Sequence, residues 1–124
     1  MAVTVELDAG GIRVVDTSAG PAVWGPSLVK SVTVVEHRIS KSTLATAGTL
    51  TVDFGSIAAA KVLAVKVSAG PVTLTMTVNG VASGNIRVND TFILIDTGGG
   101  ITACAITQST GSDVTVDILL AGST

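Results

Sequence analysis

Charge is scarce in this 124-residue chain: Asp, Glu, Lys and Arg make up only 13% of it. Aromatics are scarcer still, with Trp24, Phe54 and Phe92 alone and no tyrosine. Long apolar runs are missing too. A spanning helix needs roughly 18 or more consecutive apolar residues, and stretches such as Val62-Leu63-Ala64-Val65 are soon broken by Lys, Ser or Thr. No membrane partner is therefore expected. A net charge of -2 and a pI near 5.0 supply no basic field for nucleic acid, and a base-stacking platform lacks its aromatics. A small domain with so little charge has little to keep its copies apart. The sequence points to a surface covered by neighbouring subunits, first of all by itself in a homo-oligomer.

Cysteine and histidine are each present once, as Cys104 and His37. That excludes an intrachain disulfide and a cysteine-based metal cluster. Cys104 sits in Ile101-Thr102-Ala103-Cys104-Ala105-Ile106 and reads as a small core residue, because a nucleophilic thiol needs a nearby base. The carboxylates Asp8, Asp16, Asp53, Asp90, Asp96, Asp113 and Asp117 are dispersed, with no alternating calcium loop. No cofactor, metal site or catalytic residue is expected. The start, Met1 to Glu6, lacks a basic segment followed by an apolar one, so no signal peptide is expected.

What the chain has in quantity is Val, Ile, Thr and glycine, which suits pleated strands joined by tight turns. Val3, Val5 and Leu7 alternate with polar residues, and Ile12 to Val15 follows a glycine turn. Thr17 to Pro26 reads as a loop. Residues 1–26 are thus an N-terminal arm or peripheral hairpin, and residues 27–124 the main domain. A long run, Leu28 to Ile39, comes next. Leu50 to Phe54, Leu63 to Val67 and Val72 to Val78 alternate with period two, and Asn79-Gly80 is a hairpin turn signal. Asn85 to Val88, Thr91 to Ile95, Ile101 to Thr107 and Val114 to Leu120 complete the set. Only Ser56 to Lys61 has the composition of a helical turn. The fold class is all-β, an antiparallel β-sandwich or jelly roll.

Three features invite a functional reading. Phe92 to Gly99 resembles the apolar strand and Asp-Thr-Gly turn of retroviral-type aspartic proteases, in which two carboxylates share a proton. Too little chain follows Gly98 to supply the rest of that fold, so Asp96 reads as a turn former. Glu36, His37, Arg38 and Lys41 form the densest charge cluster and read as a solvated or intersubunit ion-pair patch. Trp24 reads as a packing anchor, an interface hot spot or a sugar-stacking platform.

The stretch Val72 to Gly80, the apolar strand into Asp96-Thr97-Gly98, and Gly111 to Gly122 together resemble small β-sandwich virion proteins of tailed bacteriophages. The resemblance covers about half the chain. It implies a non-enzymatic structural role, assembly in a bacterial host cytoplasm, a place on the virion and a homotrimer. A capsid decoration or cement protein bridging subunits of the major capsid protein is the leading expectation. A tail-fibre, head-fibre or baseplate module is the alternative in the same class. A carbohydrate-binding sandwich is the alternative outside it, and the protease stands last. The N-terminal segment has the strand character to add to a neighbour's sheet edge.

Overall fold

The computed structural model describes residues 32–124 in full, together with the backbone of three strands within the first 31 residues. The chain divides into two compact units, Met1–Val32 and Thr33–Thr124. The first holds β1 (Val3–Asp8), β2 (Gly11–Asp16) and β3 (Gly20–Trp24), an antiparallel sheet in the order β1-β2-β3. Val5 stands opposite Val14, and Ile12 opposite Trp24. Residues 20–24, expected as loop, are therefore a strand, because cross-strand pairing with β2 outweighs the turn tendency of Gly20-Pro21.

The second unit holds nine strands: β4 (Glu36–Leu44), β5 (Thr49–Thr51), β6 (Ala59–Ser68), β7 (Val72–Val78), β8 (Val81–Ala82), β9 (Ile86–Val88), β10 (Thr91–Ile95), β11 (Ile101–Gln108) and β12 (Val114–Ser123). They form one antiparallel sheet, so the fold is all-β as the composition requires. Two expectations are corrected. The strand expected over residues 28–39 is, within the described residues, displaced toward the C-terminus, starting at Glu36 and running to Leu44 opposite β12. The alanine-rich segment after Ser56 is no helix: Gly55-Ser56 is a turn and Ala59 already pairs with Ser123. Pairing along the whole of β6 overrides alanine's helix propensity.

The sheet has two arms. One runs β4-β12-β6-β10 and the other is built on β5-β11-β7, with β8 and β9 along the free edge of β7. They join at a single pairing, Ile101 with Ala60. Register shifts lie on either side of this corner, between Ala121 and Gly122 and between Ile101 and Ala103. Such bulges bend strands. Gly122 is what lets β12 pass here, since a Cβ would stand 2.1 Å from the Ala59 carbonyl oxygen.

Alternate residues of both arms meet in one core. Leu63, Val65, Val67, Val116, Ile118 and Leu120 come from one arm, and Val72, Leu74, Met76, Cys104 and Ile106 from the other. Each is buried because a strand turns every second side chain to the same face. Phe54 and Phe92 pack against its margin. At one end the buried Gln108 ties two loops together. Its Nε2 donates to the carbonyls of Leu44 and Ser112, both at 3.2 Å, and to that of Ala45. Its Oε1 accepts from the Thr110 amide and hydroxyl, both at 2.7 Å.

Candidate functional interface

The outer faces of the two arms differ in chemistry. On β5, β11 and β7 the outward residues are Thr and Ala, with the exposed Arg87 of β9 beside Thr73. Thr51, Ala105 and Thr75 stand in one row, and Ala103, Thr77 and Ala82 in the next. Their small side chains leave a trough of about 640 Å³, bordered by Asp53, Phe54, Ser83 and Thr102. Backbone pairing holds the floor and hydroxyls line it.

On the β4-β12-β6-β10 arm the outward row is aliphatic: Ile39, Leu119, Ala64 and Ile93 stand side by side across four strands. The next row on one side is His37, Ala121, Val62 and Ile95. On the other side it is Lys41, Asp117, Lys66 and Thr91. Ile39 is 76% exposed, Ile93 56% and Ile95 38%. Ala64 is short between two large neighbours, and a notch of about 240 Å³ opens over it. Large aliphatics grouped on one outer face make this the candidate interface. The sequence carries the same message, because Val62 to Val65, Phe92 to Ile95 and Ile118 to Ala121 are apolar without alternation. Strands of that kind are normally covered on both faces.

Lys66 donates to Asp90 at 2.6 Å, and this contact holds the exposed Asp90 carboxyl below its ordinary range. The Lys41-Asp117-Lys66 row alternates in sign, so opposite charges are neighbours in register.

The four charged residues singled out in the sequence do not share one face. Alternation along β4 separates them onto opposite faces. Glu36 and Arg38 lie on the core side of the strand, opposite Gly122 and Leu120. There Glu36 accepts from the Ser56 hydroxyl, and Arg38 donates to Asp53 at 3.4 Å. Gly55 gives the Arg38 guanidinium its room, in the left-handed region at φ +58° with a Cβ position only 2.3 Å from Nη1. His37 and Lys41 lie on the other face, flanking Ile39. Trp24 stands in β3, and its side chain lies outside the described residues.

The Asp-Thr-Gly turn is held locally. Asp96 Oδ1 accepts from the Gly98 amide at 2.8 Å, and the Asp96 amide donates to the Lys61 carbonyl at 2.8 Å. Cys104 is buried and free, and desolvation pushes its thiol up to about 11. Among the described residues no three His, Cys, Asp or Glu side chains gather as metal ligands, and no helix is long and apolar enough to cross a membrane.

The residues of this candidate face that composition and motifs missed are Ile39, Ala64, Ile93, Leu119, Lys66 and Asp117. Unbroken apolar runs were the available signal for three of these positions. No family model matches the chain, and no curated protein matches it.

Proposed function

We propose that this chain is a non-enzymatic structural subunit of a virion, a capsid decoration or cement protein that works by burying its β4-β12-β6-β10 face against neighbours. The observation that carries the reading is the outward aliphatic row Ile39-Leu119-Ala64-Ile93, half-buried in the middle and exposed at both ends, on a strand framework fixed by backbone pairing. A rigid sheet presenting carbon outward gains about 25 cal/mol per Å² when that surface leaves water, before the cost of association. The phage resemblance of the C-terminal strands supplies the virion context. The β-sandwich description belongs to the same reading, with two arms sharing one core.

Co-sedimentation of the full chain with expanded empty phage capsids tests it. Saturable binding that Ile39→Glu weakens is expected. Failure to bind heads, tails or fibres under any condition overturns the virion assignment.

A second reading draws on the trough of the other arm. Thr51, Thr75, Thr77, Thr102 and Ser83 offer hydroxyls, Asp53 a carboxylate and Phe54 an aromatic ring, a set suited to a neutral sugar. Retention on a glycan array, abolished by Phe54→Ala in a folded protein, would favour this carbohydrate-binding alternative.

A further inference from the structure

We infer that the β4-β12-β6-β10 face pairs with the same face of a second copy, about a two-fold axis running parallel to the strands midway between β12 and β6. This rests on the reading of that face as an assembly surface, and it names the partner.

Strand register sets what meets what across such an axis. Such an axis lays β4 over β10 of the second copy and β12 over its β6. The row Ile39-Leu119-Ala64-Ile93 then meets itself reversed. Leu119 enters the notch over Ala64 of the second copy, and that copy's Leu119 enters the notch here, while Ile39 meets Ile93. The charged row reverses too. Asp117 faces Lys66 of the second copy, Lys66 faces its Asp117, and Lys41 faces Thr91. No like charges are opposed. At the two central strands large sits on small and acid on base in both directions, as an isologous contact demands, while the outer strands set His37 over Ile95. Facing sheets pack about 10 Å apart, a gap that a leucine against an alanine fills.

The other in-plane two-fold, running across the strands along the aliphatic row, is poor by the same accounting. It sets Ala64 on Ala64, leaving a void, and places Asp117 and Lys66 over Ala121 and Val62. Charge against carbon without a partner is costly, so the structure selects the axis along the strands.

The test uses the full chain with single cysteines at Ile39→Cys and Ile93→Cys, positions exposed enough to leave the core undisturbed. The native Cys104 is buried, and wild-type protein serves as the control. With a short bismaleimide, a mixture of the two variants should give a cross-linked mixed dimer, and neither variant alone should. Sedimentation should show a dimer of the wild type, with Ile93→Glu raising the dissociation constant about tenfold or more. Cross-linking of Ile39→Cys with itself alone overturns the axis. A wild-type monomer, or a trimer unaffected by Ile93→Glu, overturns the face. Capsid co-sedimentation is scored separately: a wild type that binds capsids as a monomer removes only this pairing, whereas a dimer that binds no virion part removes only the virion assignment.

Discussion

Leu119 stands directly opposite Ala64 across β12 and β6, the largest outward aliphatic of one strand beside the smallest of the next. The pairing is fixed by main-chain hydrogen bonds, so knob and notch hold their positions without any help from side-chain packing. It is the local feature from which the assembly reading grows. Filling the notch should remove the fit while leaving the core alone, since Ala64 points away from Leu63 and Val65. Ala64→Trp should keep the unfolding free energy of the subunit within about 0.5 kcal/mol of wild type and abolish self-association, as measured by urea denaturation and light scattering.

Gln108 is the one buried polar residue among those described, and each end of its amide is engaged. Gln108→Leu keeps the volume but takes the amide's hydrogen bonds from the Leu44 carbonyl and the Thr110 amide, while the Ser112 carbonyl keeps the Thr110 hydroxyl. Each orphaned group costs about 1–3 kcal/mol. A loss of about 3 kcal/mol in urea-unfolding free energy is expected. A loss below 0.5 kcal/mol would mean that water replaces the amide freely.

Gly122 and Gly84 form a matched pair for substitution by alanine. At Gly122 the new Cβ would collide with the Ala59 carbonyl and the Ala60 Cα, whereas at Gly84 it would meet nothing within 4 Å. Gly122→Ala should cost about 2 kcal/mol or more by forcing the corner apart. Gly84→Ala should lie within about 0.5 kcal/mol of wild type. Thermal unfolding followed by circular dichroism separates the two.

The Cys104 thiol sets an alkaline limit. Its folded pKa is raised to about 11 by burial, above the unfolded value of roughly 8.5. The unfolded chain therefore loses this proton first, and the stability held below pH 8.5 should decline as pH rises toward 11. Cys104→Ala should flatten that decline in denaturant titrations from pH 8 to 10.5. Ellman's reagent should label the wild type only after unfolding.

Asp90 gives the acidic counterpart. Its carboxyl is held low by the hydrogen bond and charge of Lys66. The contribution is present above the ordinary carboxylate range and lost as pH falls through the folded value. In an NMR titration Asp90 should titrate below a free aspartate, and Lys66→Met should move its midpoint upward.

Much of the fold was legible because strand periodicity is local. Val72, Leu74 and Met76 alternate with Thr73, Thr75 and Thr77 and are buried as their spacing demands, and Asn79-Gly80 takes the positive φ angles of a tight hairpin. Local signals failed where pairing decides. Gly20 to Trp24 is strand because β2 lies beside it, and Ala59 is strand because Ser123 does. The candidate face was legible only in part. Ile93 lies in an unbroken apolar run, but its neighbours Ala64, Leu119 and Ile39 come from three other strands, and register across strands is not written in any one of them. The charge cluster Glu36, His37, Arg38 and Lys41 is divided between two faces for the same reason: adjacency in sequence along a strand means opposite faces in space.

Sedimentation velocity of the full chain from low to high micromolar concentration, run beside Ile39→Glu and Ile93→Glu, tests the assembly claim most directly. The account predicts a concentration-dependent larger species for the wild type and monomer for both variants, with unchanged circular dichroism. A wild type that stays monomeric across the whole range, or variants that assemble as it does, would contradict it.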